Sequence, residues 1–177
     1  MSRDGSSPRL DADALARAFD EQFAVAPAEA ATAAEVDLLV LRLGGAAHVI
    51  RLSEVAGLFA ERPLAPLPGG DPAFRGIAAF RGVLRPVWDL GLLLGFAAEP
   101  LQRWLVLAQE ADCLFSFAVF ERHLRAPIAA LSLAAEDGSP LAGLVKDGKW
   151  ALPLISIPAT IAAIRRRVAT AGSGKEP

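Results

Sequence analysis

The sequence predicts a mainly β fold of two small halves, built as small barrels or a sandwich, and not an alternating βαβ sheet. Three observations carry this. Apolar runs of about 4–8 residues recur at short intervals from Val36 to Ile155. Glycine turn signals separate them, at Gly44-Gly45, Arg81-Gly82 and Asp147-Gly148. Helical spacing is confined to short stretches and to segments near the two ends.

Taken in order, residues 1–9 are polar and carry Gly, Ser and Pro, so they read as a disordered tail. Leu15, Phe19 and Phe23 recur every fourth residue behind Asp11 and Asp13, which predicts a short capped amphipathic helix. Ala24 to Glu35 is an Ala-rich linker, and residues 1–35 form an extension to a body spanning 36–168. Val36 to Leu43 and Ala46 to Leu52 flank Gly44-Gly45 and predict a tight hairpin, because both turn positions need positive φ. Ser53 is expected to cap a short helix with Val55, Leu58 and Phe59 on one face. A Pro/Gly loop follows from Pro63 to Pro72. Gly76 to Phe80 and Val83 to Trp88 predict a second strand pair, and Asp89 a cap for a helical turn ending at Gly95.

Trp104 to Ala108 and Leu114 to Phe120 predict further strands, and Leu124 to Leu133 an extended stretch broken at Pro127. Leu141 to Val145 and Trp150 to Ile155 flank Lys146-Asp147-Gly148-Lys149, where Asp-Gly signals a hairpin. Pro158 suits the first turn of a last helix, with Ile157, Ile161, Ile164 and Val168 as its apolar stripe. Arg165-Arg166-Arg167 is expected at that helix's C-terminus, where cations complement the macrodipole. Residues 169–177 are expected to be a disordered tail.

Composition narrows the function. The 177 residues are 53% hydrophobic, yet no apolar run of membrane-spanning length lacks a proline or a charge, so no membrane insertion is expected. No secretory signal is evident, and the single cysteine, Cys113, reads as a small buried hydrophobe, which together point to the cytoplasm. A net charge of −2 argues against a nucleic-acid partner. No metal-ligand spacing surrounds His48 or His123, both expected to be surface or satisfied strand residues. Nucleophile elbow, phosphate loop and tyrosine are all missing, so no enzyme, metal or cofactor is expected.

From Gly76 to Leu90 the sequence runs Gly-Ile-Ala-Ala-Phe-Arg-Gly-Val-Leu-Arg-Pro-Val-Trp-Asp-Leu. This segment resembles the signature of the CheW family of chemotaxis coupling proteins, with Gly76, Arg81, Gly82, Pro86, Asp89 and Leu90 at the matching places. It departs from that pattern at Ala79, Arg85, Gly57 and Ser156. The resemblance extends over Val36 to Ile164. It implies two interlocked SH3-like five-stranded barrels with short helices, no catalysis and no cofactor. It implies an adaptor that docks on a CheA-type histidine kinase and on the cytoplasmic tip of a methyl-accepting chemoreceptor. Its structural motif is Gly76, Pro86, Asp89 and Leu90, and its partner-binding positions are Val55, Arg81, Gly82, Val83 and Arg85. The alternative is a divergent SH3-like module that sequesters a partner outside receptor arrays.

Overall fold

The structure is a computed structural model that describes residues 34–68, 70–110, 112–134 and 138–173. The expected amphipathic helix at 11–23 lies outside the described residues. Among the described residues eleven strands form two sheets. The first sheet has six strands in the order β8-β1-β2-β11-β10-β9: β8 is Val119–Pro127, β1 Glu35–Leu43, β2 Ala46–Arg51, β11 Trp150–Ile155, β10 Leu141–Asp147 and β9 Leu131–Leu133. The second has five strands in the order β3-β6-β7-β5-β4: β3 is Val55–Ala60, β6 Trp104–Ala108, β7 Leu114–Phe117, β5 Val83–Asp89 and β4 Phe74–Phe80. Among the described residues two α-helices accompany the sheets, α1 at Leu90–Leu93 and α2 at Ile157–Ser173.

Strand alternation explains how so apolar a chain is arranged. Successive side chains of a strand face opposite ways. On β1, Leu38 and Val40 face a core that also receives Val49, Ala126, Val145, Leu152 and Leu154. The alternate residues Leu39, Leu41 and Leu43 face a second core with Ile50, Phe115, Phe117, Trp88 and Ile155. Ile157, Ile161 and Ile164 of α2 complete that second core. A third core lies on the far face of the five-stranded sheet, around Phe80, Val87, Leu105, Leu107 and Leu114. The central strands are therefore buried on both faces. The second core is shared by the two sheets and by α2, so neither sheet buries its apolar face alone.

Closure is local in each sheet. A 3-10 turn at Ile128–Ala130 joins the edge strands β8 and β9, and Ala126, Ala130 and Leu131 pack on one core, which curls the six-stranded sheet into a barrel. In the other sheet the chain after β3 turns back and pairs Ala65 with Ile77 along the edge of β4. Pro63 would be the next partner in that register, and it has no N–H to offer, so the pairing stops. This segment covers an edge that would otherwise invite strand addition.

Four expectations need correction. Leu52–Glu54 is a 3-10 turn with no side-chain cap, and Val55 opens a strand, not a helix. Leu58 joins the shared core while its neighbour Phe59 joins the third core, which is strand alternation. The segment 114–120 breaks at Ala118 into β7 and β8. Asp147 pairs with Trp150, so the β10–β11 hairpin turns on Gly148-Lys149. Finally α2 continues to Ser173, so Arg165-Arg166-Arg167 lies within the helix and the C-terminal tail does not begin at 169. Arg167 Nη2 there donates to the Leu93 carbonyl at 3.1 Å, binding α2 to α1.

Candidate functional site

The signature segment forms the β4–β5 hairpin and the cap of α1. Phe80 and Val83 are its closing pair, leaving Arg81 and Gly82 as a two-residue turn with φ of 48° and 79°. Positive φ at both positions is what this right-twisted hairpin requires. Arg81 is the one non-glycine residue with positive φ among the described residues. Such a conformation costs a side-chain-bearing residue about 1–2 kcal/mol, and Asn or Gly would bear it more easily.

Around this turn lies an exposed apolar surface. Val83 is 46% and Leu84 66% exposed, and Ala79, paired across from Leu84, is exposed as well. Arg81 projects its guanidinium over Phe80, 5.4 Å from the ring centroid, and Arg62 does the same at 5.3 Å. Neither arginine has an ion-pair partner among the described residues. Sequence inspection missed Arg62, Phe80 and Leu84. Arg62 is 19 positions before Arg81 in sequence, and the Ala65–Ile77 pairing and the Arg75–Glu61 ion pair hold its segment against β4.

The structural motif has a physical account at each place. Gly76 has φ of 123°, and a Cβ there would collide with the Ala65 carbonyl. Pro86 stands opposite Ile77, whose N–H and C=O both bond outward to Ala65, so the missing proline N–H leaves nothing unpaired. Asp89 is buried; one carboxylate oxygen accepts from Leu92 N at 3.0 Å and the other from Gln102 Nε2 at 2.7 Å. Leu90 is fully buried in the shared core.

The remaining sequence-predicted contacts lie elsewhere. Val55 is 8% exposed and packs in the shared core. Arg85 points to the β6–β7 turn, where its Nη1 pairs with Asp112. The Arg85 Nε is buried without a partner. The structure thus brings Arg81, Gly82 and Val83 together at the tip, with Arg85 engaged by its own chain and Val55 inside.

The other titratable groups are occupied locally. His48 is buried, with Nδ1 3.0 Å from the Ala46 carbonyl and its ring set edge-on to Phe96 at 5.1 Å. Burial holds its pKa below the ordinary histidine value. His123 is exposed and meets Asp37 at 2.9 Å. The hydrogen bond from Arg125 is the main reason that Asp37 lies below its usual carboxylate range. Cys113 is buried, which pushes its thiol up to about 11 and leaves it unreactive. Among the described residues no group of three or more His, Cys, Asp and Glu is placed to hold a metal. No described helix is long and apolar enough to cross a membrane.

Comparison with known proteins agrees with this architecture. The family model of the CheW-like domain matches residues 37–161. Among 15 matching solved chains is the scaffolding protein TtCheW from Thermoanaerobacter tengcongensis. It shares 14% identity with a TM-score of 0.62, over 69% of this chain and 89% of that one. No curated protein matches. The family match spans both sheets and the start of α2, and on that ground the chain belongs to the CheW-like domain family.

Proposed function

We propose that this protein is a non-enzymatic cytoplasmic adaptor in chemosensory signalling, which docks on a CheA-type histidine kinase and presents its β4–β5 tip to a chemoreceptor. The observation that carries the reading is Arg81. It holds a strained left-handed conformation at an exposed turn, with no ion pair and with Val83 and Leu84 exposed beside it. Strain that stability does not explain is a mark of function. A guanidinium beside exposed apolar side chains suits a carboxylate on an amphipathic partner helix.

The test is co-purification and titration with a CheA-type kinase and a receptor cytoplasmic fragment from the same cell. Wild-type protein is expected to bind both. Arg81→Glu is expected to weaken receptor binding by at least tenfold with an unchanged melting temperature. A folded wild-type protein that binds neither partner refutes the adaptor reading and leaves a module acting outside receptor arrays.

A further inference from the structure

One cation of the β4–β5 tip comes from outside the hairpin. Arg62 lies just past the end of β3 at Ala60. Its backbone is anchored on both sides. The Glu61 N–H donates to the Arg103 carbonyl at 2.8 Å, and Ala65 exchanges hydrogen bonds with Ile77 at 2.9 and 3.0 Å. Leu64, between them, packs on the third core. Pro63 narrows the choice further, because a residue before proline is biased to extended backbone. The Arg62 side chain therefore starts from a fixed point. It ends 5.3 Å from the Phe80 ring centroid, against the same ring that Arg81 covers at 5.4 Å.

Covering Phe80 does not account for two arginines. The ring is already buried and meets Phe59 edge-on at 4.4 Å. Two guanidiniums set against one ring repel each other. The described residues supply no anion to relieve them: Glu61, next to Arg62 in the chain, is turned to Arg75 at 3.5 Å, and Asp112 pairs with Arg85. Arg62 and Arg81 are both exposed, with exposed Val83 and Leu84 beside them. The tip thus carries two cations with open donors next to an apolar step. Its charge complement is an acidic, amphipathic surface.

We infer that Arg62 is a second recognition residue of the tip, and that Arg62 and Arg81 together select a partner helix bearing two carboxylates one turn apart beside an apolar side chain. Residues three or four apart on a helix stand on one face, with Cβ atoms about 5–6 Å apart, so one helix presents a carboxylate to each guanidinium. Each pair forms charge-assisted hydrogen bonds, and the apolar residue covers Leu84 and Val83. A helix with one carboxylate leaves a guanidinium unmatched, and a basic helix is repelled. Two cations therefore discriminate among partners where one would only attract. The inference rests on the adaptor reading above. It adds to that reading a residue outside the signature segment and the charge pattern of the receptor surface.

The test is calorimetric titration of the receptor cytoplasmic fragment against full-length wild type, Arg62→Glu, Arg62→Met and Arg62→Lys, with a melt of each. Lys146→Glu, an exposed charge reversal on β10, is the control. Arg62→Glu is expected to weaken binding about tenfold or more, Arg62→Met about 3- to 10-fold, and Arg62→Lys less than Arg62→Met. Lys146→Glu is expected to change it by less than about twofold. Methionine keeps apolar cover over Phe80, and all variants are expected to melt within about 2 °C of wild type. Fragment variants with two acidic residues one turn apart changed to their amides, pair by pair, are then titrated against wild type and Arg62→Met. One such pair is expected to weaken wild-type binding about tenfold and to cost Arg62→Met distinctly less. If wild type binds and Arg62→Met binds equally well, Arg62 only covers Phe80, and the inference is overturned while the adaptor reading stands. It is overturned likewise if Lys146→Glu weakens binding as much as Arg62→Glu, or if no acidic pair couples to Arg62. If folded wild type does not bind the fragment, the receptor half of the adaptor reading fails and this inference falls with it.

Discussion

The protein presents two exposed ends that solve one problem in different ways. The β4–β5 tip combines Leu84 and Val83 with two guanidiniums, Arg62 and Arg81, that lie over Phe80 and have no ion-pair partner among the described residues. The mouth of the six-stranded barrel sets Trp150 beneath the Lys149 ammonium, next to Arg42, Glu121, Arg122 and Asp147, which pair among themselves. The tip combines apolar area with charge that can steer a partner, whereas most charge at the mouth is spent on neighbours within the barrel. On the proposed reading, partner binding at the tip should weaken with added salt.

The sheets that carry the two ends meet at the shared core, and the largest perturbation should act on both together. Ile155→Ala deletes fully buried atoms where β11 meets the shared core. The expected loss is about 2–5 kcal/mol, in one cooperative denaturant transition. Two separated transitions would show that the ends belong to independent domains. Gly76→Ala should act on the tip alone. It forces a side chain into a φ of 123° and against the Ala65 carbonyl, for a loss of about 2 kcal/mol or more. Amide exchange should rise along β4 and β5 and stay unchanged around Trp150.

Arg81→Asn should divide stability from function at the tip. Asn tolerates the left-handed turn better, so a gain of about 0.5–1 kcal/mol is expected together with weaker receptor binding. A variant that gains stability and keeps full binding would assign Arg81 to the turn and not to the partner. The smallest effect concerns His48, at the hairpin end next to the barrel mouth. Its folded pKa lies below the ordinary value, so the neutral form is the one that stabilises the fold. That contribution is complete above the unfolded pKa of about 6.5 and is lost as pH falls below it. Melts at pH 7.5 and 5.5 should show a larger drop for wild type than for His48→Gln.

The hairpins were legible because their turns are local chemistry. Gly44-Gly45 declares positive φ at both turn positions and Gly82 at one, and the structure has both turns, with Arg81 in the left-handed region as well. Asp89 was legible as a cap for the same reason. The segment after Ser53 was not, because Val55, Leu58 and Phe59 have helical spacing by coincidence. A register shift between Val55 and Gly57 in the pairing with β6 alters which residues share a face, and no local signal marks it. Arg165-Arg166-Arg167 misled in another way: Ala169 and Thr170 prolong the helix past the charges, which bond to α1 and to the loop at Gly138.

The candidate sites divide likewise. Arg81, Gly82 and Val83 were visible as a motif, whereas Arg62 reaches them through tertiary contacts of its segment with β4, the Ala65–Ile77 bridge and the Arg75–Glu61 pair. Arg85 looked free in the sequence and is held by Asp112 across the β6–β7 turn. The barrel mouth left only a faint trace, a polar or aromatic residue at the end of several alternating apolar columns. By itself the sequence determined most of the strands and their hairpin turns, since these depend on neighbours a few residues apart, while β3 and the break at Ala118 escaped it. The tertiary structure decided which faces meet. β2 pairs in parallel with β11 and β5 with β7, across long stretches of chain, and those contacts set the shared core. Apolar burial is non-directional, so each apolar face required cover without specifying its source.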